Sequence, residues 1–185
     1  AAKTPTGAWR GAMALPRELG LALELKAPDG QYRLTQKPTA GFEALPRRLL
    51  AARSGALPLS AHGLDLSAAD IALSVREPRG PFAVELSNEK GERFSVSCEG
   101  LVARADRTGS GAVDFSPDFA PGPQTLRADY PLSSLRLIVD ACSVEVFFDG
   151  GALVMTNLVF PSEPYSAVSI TGAGAAELTV SALLR

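Results

Sequence analysis

The chain has 185 residues, 18 basic and 20 acidic, for a formal net charge of −2, with 46% apolar and 21% charged side chains, the composition of an ordinary folded domain. That length fits one full domain with a short appendage and excludes two large ones. Lysines and arginines are scattered among the acids with no basic block, so the footprint of a nucleic-acid binder is missing, and no apolar run approaches the ~20 residues that cross a bilayer.

The first seven residues have neither a Met start nor the apolar core of a signal peptide, which is the look of a mature or excised piece. Residues 9–19, WRGAMALPREL, are mixed in character, and Pro16 interrupts any helix. They are expected to form an extended arm or connector, with residues 1–19 as arm and 20–185 as the folded domain. Leu21, Leu23 and Leu25 then alternate with Ala22, Glu24 and Lys26, and Asp29-Gly30 leads into residues 31–36. Alternation and turn signal together predict a hairpin. Residues 38–64, rich in Ala, Leu, Pro and Gly, are the least regular part, and 42–50 admits one or two helical turns.

Strand patterns return at 70–75, 82–86, 93–98 and 101–106, with 88–91 as a turn and a Gly/Ser break at 108–111. Residues 135–160 carry the clearest pattern. Leu135, Leu137 and Val139 share one strand face, 141–143 turn the chain, and Val144, Val146 and Phe148 share the next face. Asp149-Gly150-Gly151 turns again into 152–156, predicting a three-stranded meander. A last run, 177–184, closes the chain. About ten or more short strands with no long helical period predict an all-β fold, a two-sheet antiparallel β-sandwich of the jelly-roll, concanavalin A-like lectin/glucanase type.

The chemistry on offer is sparse. His62 is the one histidine, in a loop-like stretch, so His-based metal sites are excluded and its plain reading is a solvated side chain. Cys98 and Cys142 lie singly in strand-like runs, too far apart for a zinc-type pair. They read as small buried hydrophobes, with their pairing left open. Gly109-Ser110-Gly111 is too short for a phosphate loop. No metal or cofactor is therefore expected. The carboxylates Asp106, Asp114, Asp118, Asp140, Glu145 and Asp149 remain as candidates for the paired acids that glycoside hydrolysis needs, although nothing in their spacing brings two together.

In order along the chain stand WRGAMALPREL at 9–19, RADRTGSG at 104–111, FSPDF at 115–119, LRLIVDACSVEVF at 135–147 and TNLVFP at 156–161. As a set they resemble the C-terminal part of glycoside hydrolase family 32, the invertases, levanases and inulinases. The resemblance runs over nearly the whole chain. It implies a five-bladed catalytic propeller as the partner of this sandwich, with the 9–19 arm as the propeller's end and the linker, and an extracytoplasmic location. The family's catalytic motifs, Asn-Asp-Pro-Asn, Arg-Asp-Pro and Glu-Cys, do not occur in this chain, so no catalytic residue carries over.

Two functions follow as expectations. One is a non-catalytic domain that braces the propeller, for which Trp9, Met13 and Leu15 look like apolar surface made to be covered. The other is a fructan-binding module, since the sandwich is also similar to family 66 carbohydrate-binding modules, which hold the terminal fructose of levan. A furanose offers little flat apolar face, so recognition would fall to charge-assisted hydrogen bonds from Asp106, Arg107, Asp140 and Glu145. The same four residues equally suit an ion-pair network that fixes the hairpins. An autonomous glycosidase using Asp140 and Glu145 is the weakest alternative.

Overall fold

The computed structural model describes residues 4–7, 11–23, 32–76 and 80–184. It is the expected sandwich. One sheet has six strands in the order β12 (Leu153–Leu158), β11 (Ser143–Phe148), β10 (Ser134–Asp140), β5 (Ala69–Arg76), β14 (Ala175–Leu183) and β3 (Arg47–Ala56). The second has β4 (Leu59–His62), β13 (Ala167–Gly172), β6 (Phe82–Ser87), β7 (Arg93–Glu99), β8 (Val102–Asp106) and β9 (Gln124–Arg127). Every pairing within them is antiparallel.

Alternation decides which side chains meet between the sheets. Ile71, Leu73 and Val75 of β5, Leu135, Leu137 and Val139 of β10, and Val144, Val146 and Phe148 of β11 point inward from the first sheet. Phe82, Val84 and Leu86 of β6 and Phe94, Val96 and Cys98 of β7 meet them from the second. All belong to one continuous core, and burying each large apolar side chain contributes roughly 1.5–3 kcal/mol against the entropy of ordering the chain.

The meander is as the sequence predicts: β10, β11 and β12 pair in register, Leu137 opposite Val146 and Val146 opposite Met155. Its second turn runs through Asp149, Gly150 and Gly151, all at positive φ (42°, 70° and 95°). Asp149 Oδ1 holds the turn by accepting the backbone N–H groups of Ser133 and Ser134 at 3.1 and 2.8 Å.

The structure corrects residues 38–64. Helix there is one turn, α1 (Ala40–Glu43), and Pro46 follows it. Residues 47–50 open the ten-residue edge strand β3. An edge strand whose deepest residue is Ala51 shows no apolar alternation, so its period was invisible. His62 ends β4 and is exposed; it sits in a strand, not a loop. Four-residue strands such as β4 and β9 are too short to establish a period.

A separate two-stranded sheet pairs β1 (Arg17–Leu23) with β2 (Tyr32–Pro38), Leu21 opposite Leu34 and Leu23 opposite Tyr32. This is the expected hairpin. Its Asp29-Gly30 turn and Leu25 lie outside the described residues, as does Trp9. The expected boundary between residues 19 and 20 falls inside β1. The hairpin meets the first sheet where Gln36 N–H donates to Gly151 O at 2.8 Å. On that sheet's outer face Phe42, Ile138 and Phe147 form a second small core, covered by Leu15, Val154 and Leu183.

Candidate domain interface

Glu145 stands on the outer face of β11, between Val144 and Val146 of the core, and is 3% exposed. A buried carboxylate persists only with partners, and the arm supplies them. Leu15 N–H donates to Glu145 Oε1 at 3.0 Å, and the Arg17 guanidinium pairs with Oε2. Thr156 Oγ1, on the neighbouring β12, donates to Oε2 at 2.8 Å. Arg17 also donates to Gln36 Oε1 at 3.0 Å and to Thr156 Oγ1 at 2.6 Å, and its guanidinium lies 5.5 Å from the centroid of Phe147. This clamp fixes the start of β1 on the sandwich.

Beside it, Asp70 at the start of β5 accepts Arg47 Nε at 2.7 Å, and Arg136 Nε and Nη2 at 2.8 and 2.7 Å. Burial would push the Asp70 carboxyl up, but the hydrogen bonds and charges of Arg136 and Arg47 together hold it below its ordinary value. Arg136 also reaches Glu43 of α1, and that hydrogen bond lowers the Glu43 pKa. The Phe42 ring lies 5.4 and 5.8 Å from the two guanidinium carbons. The cluster therefore pins α1, and with it the end of β2, to the outer face.

What this scaffold presents is apolar. Leu21, Leu23, Leu34 and Tyr32 share one face of the hairpin through the β1–β2 register, and Leu19 continues it. They are 73%, 49%, 52%, 70% and 69% exposed respectively. Met13 of the arm is 95% exposed. A two-stranded sheet is marginal in water by itself, and a contiguous exposed apolar face marks an interaction surface.

The other expected site residues occupy different places. Asp106 ends β8 and accepts Thr108 N–H and Oγ1 at 2.8 and 2.7 Å, capping the turn that follows. Arg107 is half-buried; its guanidinium donates to the carbonyls of Phe119 and Leu158 and stacks 4.2 Å from the Phe119 centroid. Burial holds its pKa below the usual guanidinium value. The Phe115, Phe119 and Phe160 rings cluster there, with centroids 4.6–5.7 Å apart. Asp140 is exposed at the end of β10 and accepts Ala141 N–H at 2.8 Å. Register places Asp140 opposite Ser143, and Ser143 opposite Leu158, so Arg107 and Asp140 come to one end of the meander. Glu145 lies inside the clamp instead. Cys98 and Cys142 are free, and burial, aided by the Asp149 charge, pushes the Cys98 thiol up to about 12, well away from a reactive thiolate.

Sequence reasoning missed Arg17, Thr156 and the Asp70–Arg136 cluster. One signal was available: Arg136 interrupts the apolar run 135–139, and a cation on a packed sheet needs a carboxylate on a neighbouring strand.

Comparison with known proteins agrees with this architecture. The family model described as "Glycosyl hydrolases family 32 C terminal" matches residues 47–183. The chain is 26% identical over 181 residues to a levanase of Bacillus sp. (strain L7), covering 92% of the chain and 19% of that protein. It is 30% identical over 175 residues to an extracellular exo-inulinase of Aspergillus awamori, covering 87% and 32%. The crystal structure of exo-inulinase from Aspergillus awamori superposes with a TM-score of 0.77 at 22% identity, over 98% of this chain and 37% of that one. The chain thus spans from a fifth to a third of the length of these curated relatives. With the match running from the first residue of β3 to the last residue of β14, the chain belongs to the C-terminal domain family of the glycoside hydrolase family 32 proteins.

Proposed function

We propose that this chain is the non-catalytic C-terminal sandwich of an extracytoplasmic fructan- or sucrose-hydrolysing enzyme, and that it braces a catalytic propeller. The observation that carries the reading is the hairpin: an apolar face of Leu19, Leu21, Leu23, Tyr32 and Leu34 left open to solvent on a strand clamped to the sandwich through Arg17 and Glu145. A rigid mount for an apolar surface suits a permanent neighbour more than a dissolved sugar. On this reading residues 11–38 are the docking element and 47–184 the scaffold that holds it.

A fructan-binding role for Asp106, Arg107, Asp140 and Glu145 draws less support, because Asp106 and Arg107 serve the turn and loop around them and Glu145 serves the clamp. The coding sequence upstream of residue 1 tests the proposal: it should encode a propeller with the three carboxylate motifs. In the full polypeptide, Leu21→Asp with Leu34→Asp should lower the melting temperature of the propeller while a folded sandwich persists. An upstream sequence without a propeller, or an unchanged melt, overturns it.

A further inference from the structure

Where β2 meets the start of β12, the two leave a pocket of about 340 Å³. Its apolar walls come from three places: Leu34 on β2, Ala152, Leu153 and Val154 at the second meander turn and β12, and Leu126 with Tyr130 on β9 and the segment after it. The volume is more than twice the ~150 Å³ that holds a benzene ring in an apolar cavity, and it lies at the small end of the range of ligand pockets.

These walls are backed by packed structure. Leu126 and Leu153 are half-buried against the main core, and Val154 packs on the small outer core. Tyr130 is 6% exposed. Gln36, which also lines the pocket, is held by the Arg17 guanidinium and, through its backbone N–H, by Gly151. The two charges in the lining answer each other: Arg33 pairs with Asp129 at 3.2 Å, which also ties β2 to the segment after β9. A charged occupant would find no unbalanced counter-ion in this lining and would lose its water. An apolar occupant would bury leucine and valine side chains. An aromatic ring suits the site best, because it packs on aliphatic walls and its face attracts the neighbouring guanidinium.

Leu34 joins the pocket to the larger apolar surface. It lines the pocket, and it shares the exposed hairpin face with Leu21 and Leu23. A partner lying on those leucines therefore reaches the pocket at the edge of the same surface. Interfaces concentrate their energy in a few large side chains seated in such pockets and ringed by weaker contacts. We propose that this pocket seats a single aromatic side chain projected by the catalytic propeller, as the anchor of the docking surface. The inference rests on the bracing role proposed above and adds to it the place and the chemistry by which the propeller is gripped.

Methyl chemical shifts of the 185-residue chain and of the full polypeptide, with indole as the probe, test the proposal. In the 185-residue chain, millimolar indole should give saturable shifts at the methyl groups of Leu34, Leu126, Leu153 and Val154. Ala152→Phe, which fills the pocket from its own wall, should weaken that binding about tenfold or more. Leu34→Ser, on the exposed hairpin, removes one wall and serves, with the same expected loss, if the first variant does not fold. In the full polypeptide the same methyl groups should not respond to indole and should show nuclear Overhauser contacts to an aromatic ring upstream of residue 1. No saturable shift in the 185-residue chain overturns the proposal, and so does equal indole binding by the full polypeptide, which would mean that the pocket stays open with the propeller in place. Contacts from an aliphatic side chain or from a second copy of the chain overturn it too. All of these failures leave the melting test of the hairpin leucines untouched, whereas an upstream sequence without a propeller removes brace and anchor together.

Discussion

At the scale of single residues, Glu145 shows how one side chain changes meaning when its partners are known. In the sequence it is a charge in an otherwise apolar strand, and the two readings of such a charge are a ligand contact or an internal ion pair. The partner that decides the matter here, Arg17, lies on another element, and no local pattern could connect them. The clamp predicts an asymmetry. Glu145→Ala leaves Arg17 half-buried without its anion and should cost about 3–5 kcal/mol in urea unfolding. The double variant Arg17→Met, Glu145→Leu removes both charges and should cost much less than the single substitution. Equal losses in the two proteins would mean that the pair carries no uncompensated charge. The core residues of β5, β10, β11, β6 and β7 were, by contrast, legible from alternation alone, because each strand buries one face and period two is a property of the strand itself.

Gly151 predicts a more local effect. Its φ of 95° is already strained for any L side chain, and an added Cβ would lie 2.1 Å from Gln36 O. The glycine is the point where β2 rests on the meander turn, next to the bond from Gln36 N–H to Gly151 O. Gly151→Ala should therefore detach the hairpin, seen as faster hydrogen exchange of the Gln36 amide, while the amides of β6 and β7 stay protected.

At the scale of elements, the hairpin and the edge strands mark the limit of what pattern can reveal. The hairpin was legible because leucines alternate on it, yet those leucines face water instead of the core. Alternation states that one face is apolar and does not state what covers it. β3 has the opposite character: paired to β14 over nine positions, it carries Arg47, Arg48 and Arg53 along a sheet edge. Charged edges discourage pairing with another chain, and they also erase the apolar signal that would have announced a strand. The two elements therefore differ in what they do to the free chain. Self-association should run through the hairpin: replacing Leu21 and Leu34 by Lys should lower the weight-average mass in sedimentation at high concentration. Replacing Leu49, exposed on β3, by Lys should leave it unchanged.

At the scale of the whole molecule, the Asp70 cluster joins α1, β3, β5 and β10, and so ties the face that carries the hairpin to the body of the sandwich. Its electrostatics give that link a pH dependence with a definite sign. The folded-state pKa of Asp70 is lowered, with burial opposing and Arg136 and Arg47 prevailing. Glu43 is lowered too, chiefly by its hydrogen bond from Arg136. A carboxyl whose pKa falls on folding binds fewer protons in the folded state, so its contribution is complete above the unfolded value and is lost as pH falls through the folded one. For these two groups the loss begins below the ordinary carboxylate range, about pH 4, and no stability change from the cluster is expected between pH 5 and pH 7 (about one unit and more above that range). Asp70→Asn removes the buried anion and leaves two guanidinium groups facing a neutral amide, so the variant should be less stable than the parent at pH 7. Below about pH 4 the unfolded parent takes up a proton that folded Asp70 still refuses, so the parent's advantage shrinks, and the two unfolding curves should converge once pH has fallen through the lowered folded-state value of Asp70. A constant gap across the acid range would show that the cluster stabilises the fold through shape and hydrogen bonding, with charge as a bystander.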